Sequence, residues 1–198
     1  MTDIKSSREI ALQKTDNLGE PTTEDRLRWK YVPKGEKLAV ECLRKRVDIN
    51  EKLSVFKEEA KRYIKKGMES VFLANIELPR NETIKNNNEL IMGYLRCIKN
   101  EKTLAEEVIN SFGQLFEHYE EQGKQQREQV YGNLKLEYGE KLRQAVEKQL
   151  GMTETMDMDM DVEKLPQFHR EWQQAQAQLD SQYIKLLNDY RLQLKAIE

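Results

Sequence analysis

The sequence predicts an all-α protein: an elongated bundle of long amphipathic helices with coiled-coil-like packing and an antiparallel helical hairpin. Charged residues make up 34% of the chain and hydrophobic types 38%, a balance typical of helices that bury narrow stripes. Glycine occurs nine times and proline only four times in 198 residues, too few turn residues for a sheet protein. Apolar residues also recur every three to four positions over long stretches, as they do on one helix face.

Proline punctuates the chain, because inside a helix it removes a hydrogen bond and clashes with the preceding turn. The four prolines are Pro21, Pro33, Pro79 and Pro166. Together with one low-complexity stretch they predict four regions. These are N-terminal short helices with a turn (1–35), a long helical hairpin (36–151), a Met/Asp-rich linker (152–165) and a C-terminal helix (166–198).

The first region is predicted to hold two short helices, at 4–18 and at about 23–31. Thr22 and Asp25 have the spacing of a weakened capping box, which marks the start of the second helix. A turn is expected over 29–35, because the residue before a proline is biased away from the helical conformation.

The hairpin is predicted to reverse at Pro79. Its first arm, 36–78, has the pattern of one continuous helix with a heptad seam. The seam residues are Leu53, Phe56, Ala60, Tyr63, Gly67, Ser70 and Ala74. The small members of this seam predict close approach of a partner helix.

The second arm, 82–150, keeps a helical pattern up to a stop at Gly151. Its seam residues are Ile84, Asn88, Ile91, Leu95, Ile98, Lys102, Ala105, Ile109, Phe112, Phe116, Tyr119 and Gly123. Thr103 and Glu106 again have capping-box spacing. The sequence therefore leaves open whether this arm is one helix or is broken near Asn100.

The C-terminal helix opens at Pro166 and carries an apolar stripe with an eleven-residue period, close to that of a straight helix. The stripe residues are Phe168, Trp172, Ala175, Leu179, Tyr183, Leu186, Tyr190, Leu194 and Ile197. We interpret the aromatic residues of this stripe and of the second arm as packing residues.

The sequence contains no recognisable catalytic or cofactor motif, so neither an enzyme nor a cofactor is predicted. Phosphate-binding loops, the nucleophile elbow and the zinc-binding His-Glu-x-x-His pattern are all absent. His118 and His169 are the only histidines, and neither has the glutamate three residues earlier that a di-iron bundle requires. His118 lies beside Glu117 and Glu121, an arrangement suited to proton transfer but more typical of a surface contact.

The Met/Asp-rich segment 152–161 shares features with two kinds of metal site but completes neither. Alternating aspartates match the opening of a calcium loop, yet Val162 and Phe168 stand where that loop needs glycine and glutamate. Its methionines suit monovalent copper, but no Cys or His accompanies them. We predict a linker and no metal.

Cys42 and Cys97, the only cysteines, are predicted to be small core residues, because no close pair signals a disulfide or a metal site. The first 25 residues lack the apolar run of a secretory leader, and no stretch approaches 18 consecutive apolar residues. A cytoplasmic protein without a membrane partner is expected.

One charged feature exceeds the background. The net charge is −2, but from Arg26 to Lys66 there are 14 Lys/Arg against six Asp/Glu. Cations with interleaved aromatic residues suit the phosphates and bases of nucleic acid. The candidate contact residues are Arg26, Arg28, Trp29, Lys30, Tyr31, Lys61, Arg62, Lys65 and Lys66. The alternative is a solvated face, or one that faces the acidic C-terminal half.

The sequence therefore predicts a non-enzymatic structural or protein-interaction module, a scaffold, adaptor or assembly factor that acts through its helical seams. Its expected partner is a second copy of the chain or another helical protein. The alternative function is that of a nucleic-acid-associated helical protein using residues 26–66.

Overall fold

A computed structural model describes residues 21–150 and 162–197 and confirms the all-α class. The helices are α1 (Thr23–Lys45), α2 (Ile49–Ser54), α3 (Glu58–Ala74), α4 (Glu82–Ile98), α5 (Lys102–Leu150) and α6 (Pro166–Ala196), with a 3-10 turn at Val162–Lys164. Helix accounts for 88% of this part of the chain, and no strand occurs in it. The predicted helix at 4–18 and the segment 152–161 lie outside the described residues.

The chain divides into two compact units. The first consists of the described residues up to Asn75 together with Gly93–Ile98, and the second of Ile76–Met92 together with the described residues from Lys99 onward. Helix α4 contributes its first part to the second unit and its last turn and a half to the first.

Helix α1 starts at the predicted capping box. The backbone N–H of Asp25 donates to the Thr22 hydroxyl (3.2 Å), and the Thr22 N–H donates to the Asp25 carboxylate (3.1 Å). The turn predicted over 29–35 is wrong, and with it the boundary at residue 35, because α1 continues through Pro33. Pro33 is exposed, so the carbonyl that loses its helical partner can bond to water instead.

The predicted continuous helix over 36–78 is also wrong, because α1 ends at Arg46, a residue in the left-handed conformation with φ 51°. The Cys42 carbonyl accepts a hydrogen bond from the backbone N–H of Arg46 (2.8 Å). The Tyr94 hydroxyl lies within donating distance of the carbonyl oxygens of Cys42 (3.2 Å) and Val47 (3.0 Å). Asp48 then caps the short α2.

Helices α1 and α3 cross in antiparallel fashion at two glycines. Gly35 lies against the backbone carbonyl of Ile64, and Gly67 lies against the backbone carbonyl of Val32. The predicted close approach at Gly67 is therefore confirmed, but its partner is α1 rather than the arm that follows Pro79. The seam drifts beyond this point: Ile64, Met68 and Phe72 are buried, whereas the predicted members Ser70 and Ala74 are exposed.

In the second unit, the question of a break near Asn100 is resolved, because α4 ends at Ile98 and α5 begins at Lys102. Lys99 is buried there, and its ammonium donates to the carbonyl of Ile197. Asn88 is also buried, and its amide group bonds both the N–H (3.1 Å) and the carbonyl (2.6 Å) of Glu77, which fixes the chain before α4.

Helices α5 and α6 form an antiparallel pair held by aromatic contacts, as the packing interpretation predicted. The ring pairs are Phe112–Tyr190 (5.6 Å), Tyr119–Tyr183 (5.0 Å), Tyr131–Trp172 (5.1 Å) and Tyr138–Phe168 (5.7 Å). Helix α6 opens at Pro166 as predicted. The linker predicted over 152–165 is wrong in its last residues, because Val162 is buried against Tyr138 and Phe168.

Candidate functional site

An open groove of about 700 Å³ runs between α5 and α6 within the second unit. Its apolar residues are Leu115, Val130, Ala175, Leu179, Leu186 and Tyr190. Its polar residues are Ser111, Gln114, His118, Gln126, Gln178, Gln182 and Tyr183. None of these is Asp, Glu, Lys or Arg, although such residues make up 34% of the chain. A helix surface depleted of charge resembles the core of a protein–protein interface rather than an ordinary solvated face.

The apolar stripe predicted for α6 is partly wrong, and the residues concerned line the groove. Leu179 and Leu186 were expected to face a partner helix, but Leu186 keeps 43% of its surface exposed and both line the groove. The buried positions are Asp180 and Leu187, one residue further along. Phe168, Tyr183 and Leu194 are buried as predicted, so Leu186 is the exposed member of the stripe.

Three side chains compensate the burial of the Asp180 carboxylate. It accepts a hydrogen bond from the Tyr119 hydroxyl (3.1 Å) and one from the Arg80 guanidinium (2.8 Å), and Arg127 lies 3.7 Å away. Burial raises the pKa of Tyr119 and the neighbouring carboxylate raises it further, so the hydroxyl remains a donor. A buried ion with such partners favours one helix register over its neighbours.

His118 does not form the contact with Glu117 or Glu121 that its spacing indicated. Its Nδ1 lies 3.0 Å from the Tyr183 hydroxyl across the groove wall, and the rings are 5.7 Å apart. The Ser111 hydroxyl donates to the carbonyl of Glu107 one turn earlier (3.0 Å). The Ser111 hydroxyl is therefore bonded within its own helix, and the hydroxyl beside the His118 imidazole is that of Tyr183.

The described residues contain no group of three or more His, Cys, Asp or Glu side chains placed to hold a metal ion. The calcium-like and copper-like patterns both lie in 152–161, outside that part of the chain. Among the helices described, none combines the length and the apolar character needed to cross a membrane.

The core assignment of the cysteines is confirmed for one and wrong for the other. Cys42 is buried in the first unit, and burial raises the pKa of its thiol. Cys97 is exposed, whereas Tyr94, Leu95 and Ile98 around it are buried.

The nine predicted nucleic-acid contacts lie on two different helices of the first unit. On α1, Arg26, Trp29 and Lys30 are exposed on the face turned away from Gly35 and α3. Arg28 is seven residues before Gly35 and lies on the same side of the helix as that glycine. The structure therefore brings together only part of the predicted α1 group.

The aromatic ring of Tyr31 is in contact with two lysines of its own helix. It is half-buried, and the ammonium groups of Lys30 and Lys34 each lie 5.3 Å from the ring centre. Trp29, in contrast, keeps 66% of its surface exposed.

The other four predicted contacts lie on α3. Arg62 and Lys66 are exposed on the face opposite Ala60, Ile64 and Gly67, which turns away from α1. Lys61 and Lys65 are half-buried on its flank, and Lys61 pairs with Glu58 at 2.5 Å. These cations thus point away from those of α1, and the nine residues do not form one surface.

The predicted contact residues did not include Lys37 and Arg44 of α1, nor the four glutamines of the groove. Lys37 and Arg44 share the exposed face of Arg26 and Lys30, at spacings of seven residues that a helix running through Pro33 would have indicated. The four groove glutamines carried no signal of their own, because their role depends on which helices pair.

The fold defines the class: an all-α protein in which each unit is organised around an antiparallel helix pair, with an uncharged groove on the second pair. The chain belongs to the family described as "Family of unknown function (DUF6657)", whose model matches residues 50–196. No curated protein matches the chain. No solved structure matches it either.

Proposed function

We propose that this protein is a non-enzymatic interaction module that self-associates by packing its α5/α6 groove against the same groove of a second copy. The observation that carries the proposal is the absence of Asp, Glu, Lys and Arg from the groove lining. A symmetric interface places each surface against itself, so a charged groove would meet its own charge, whereas a neutral groove does not.

The chemistry of the lining suits a copy of itself. Glutamine amides both donate and accept hydrogen bonds, so the rim residues Gln114, Gln126, Gln178 and Gln182 can pair with identical groups. Leu179 and Leu186 would leave water on association, which favours the dimer by the hydrophobic effect. The residues that line the groove are therefore compatible with the same residues of a second copy.

The size of the surface is sufficient. The groove follows α5 from Ser111 to Val130, a span of about 29 Å at the α-helical rise, and two adjacent helices are about 20 Å wide. Two copies would bury about 1,200 Å² in total, the lower end of the range for specific interfaces. The area predicts a dimer in exchange with monomer.

The test is sedimentation velocity of the full chain over about 1 to 100 µM, the range of micromolar affinities. We expect the wild type to pass from monomer to dimer within it. Leu186→Glu should keep the chain monomeric, because a carboxylate would be buried in the neutral interface without a partner. Leu192→Glu is the matched control: Leu192 lies on the same helix, is 65% exposed and does not line the groove.

Circular dichroism establishes that both variants keep the wild-type helical content. A wild type that stays monomeric throughout the range would refute self-association. Equal dimerisation of the two variants would place the interface outside the groove.

A further inference from the structure

The exposed face of α1 gathers cations that form no ion pair with the described residues of the first unit. Arg26, Lys30, Lys37 and Arg44 are spaced by four, seven and seven residues, so they lie along one line of the helix. All four are exposed, on the side opposite Gly35, where α1 meets α3. We call these four cations, with Trp29 beside them, the α1 strip.

Glu41, which lies between Lys37 and Arg44 in the sequence, is engaged elsewhere. Glu41 binds Lys45 (3.1 Å) and Lys52 (3.3 Å), and these two lysines hold the pKa of its carboxyl below its usual value. Among the described residues, no carboxylate lies within ion-pair distance of the four cations of the strip. Arg26, Lys37 and Arg44 therefore present their charges to solvent, and the ammonium of Lys30 lies 5.3 Å from the centre of the Tyr31 ring.

Trp29 gives the strip an aromatic surface. Its side chain is 66% exposed, and Lys30 and Arg26 are its neighbours on the helix. An indole next to cations can stack on a base while the cations contact the adjoining phosphates.

We propose that the α1 strip binds single-stranded nucleic acid, with its four cations on the phosphates and Trp29 stacked on a base. From Arg26 to Arg44 the strip is about 27 Å long at the α-helical rise. That length matches about four nucleotides, the smallest site size of single-strand binders.

An anionic lipid surface is the competing ligand for a basic helix, and the apolar content of the strip disfavours it. Membrane-surface helices insert a broad apolar face. Here only Trp29, Pro33 and Val40 are exposed apolar residues along this side of α1, and Glu36 lies among them. The face is too narrow in apolar area and too rich in charge for insertion.

The test is fluorescence anisotropy of a labelled oligo-dT with the full-length protein at low salt. Four phosphate contacts predict that log affinity falls with log salt at a slope of about −3 for a single strand. Lys37→Glu combined with Arg44→Glu should weaken binding at least tenfold and reduce that slope to about −1.5. Trp29→Ala should weaken it about tenfold, and more for single strands than for a duplex.

The matched control reverses two exposed cations of the second unit, Lys124→Glu with Arg143→Glu, for the same change in net charge. We expect it to bind within about threefold of wild type, since it leaves the phosphate contacts intact. An equal loss in both double variants would show that net charge alone is responsible and would overturn the assignment.

Three other results would also overturn it. The first is no binding of oligo-dT by the wild type. The second is loss of binding on reversing Arg62 and Lys66 while the α1 variant still binds, which would place the site on α3. The third is binding to phosphatidylserine vesicles with none to the oligonucleotide. None of these depends on self-association, which the groove variant Leu186→Glu removes separately.

Discussion

Two glycines set how closely the first helix pair packs. A Cβ added at Gly67 would fall on the carbonyl oxygen of Val32 and lie 3.0 Å from the backbone nitrogen of Glu36. Gly35 meets the carbonyl of Ile64 in the same way. Both neighbours are backbone atoms, which cannot move aside as a flexible side chain can.

Gly67→Ala should therefore lower the free energy of unfolding by about 1–3 kcal/mol, because the two helices must separate to accept the methyl group. Gly113→Ala is the matched control, since nothing lies within 4 Å of a Cβ at that helical glycine. It should raise the free energy of unfolding by about 0.5–1 kcal/mol through helix propensity. Urea denaturation measures both, and equal effects would show that the crossing is looser than described.

At the scale of single elements, Pro33 is the main departure from helical preference. It stands inside α1, where its ring removes one backbone hydrogen bond and strains the preceding turn. Pro166 stands at the start of α6, where the first N–H groups of a helix have no intrahelical partner in any case.

Pro33→Ala should raise the free energy of unfolding by about 1–3 kcal/mol, because the hydrogen bond to Trp29 is restored. Pro166→Ala should change it by less than about 0.5 kcal/mol, as at other exposed positions without special contacts. Denaturant midpoints compare the two directly. A decrease for Pro33→Ala would mean that the bend at this proline is required for the packing of α1 on α3.

Elements with local signals were predictable, and elements set by distant contacts were not. Thr22, Asp25 and Pro166 act on their own helix ends, so the starts of α1 and α6 follow from sequence. The end of α1 at Arg46 lies against the hydroxyl of Tyr94, which is 47 residues from Val47, the nearer of its two acceptors in the sequence. No local pattern reports such a contact.

The groove was unpredictable for a related reason. Hydropathy assigns Leu186 to the interior and Asp180 to the surface, whereas Leu186 is exposed and Asp180 is buried with Arg80 and Tyr119 as partners. The cationic surface was half predictable: its charge surplus is visible in the sequence, but the assumed turn before Gly35 hid the line that joins Arg26 to Arg44. Without the continuous helix, Lys37 and Arg44 could not be placed on the same helix face as Arg26 and Lys30.

At the scale of the whole chain, the uncharged groove and the cationic α1 strip lie in different parts of the sequence. The neutral groove lies wholly within residues 50–196, the part that the family model matches, whereas α1 lies outside that match. The residues of the proposed self-association therefore lie in the matched part of the chain, and those of the proposed nucleic-acid binding lie outside it.

This division predicts that salt weakens oligonucleotide binding strongly and changes dimerisation little. A tenfold rise in salt should weaken oligonucleotide binding by several hundredfold, because released counterions drive phosphate contacts. The dimer dissociation constant should change by less than about threefold, since no charged residue lines the groove. Sedimentation and anisotropy in matched buffers measure the two. A dimer that dissociates steeply with salt would indicate an interface made of ion pairs instead.

The chain contains two tryptophans, and the fold places one in each unit. Trp29 is largely in water, whereas Trp172 is half-buried with its ring 5.1 Å from that of Tyr131. The fluorescence emission maxima of the two tryptophans therefore differ, and the indole in water emits at the longer wavelength. Replacing either tryptophan by phenylalanine leaves a native optical reporter for a single unit, so the melting of each can be followed in the intact chain without an attached dye.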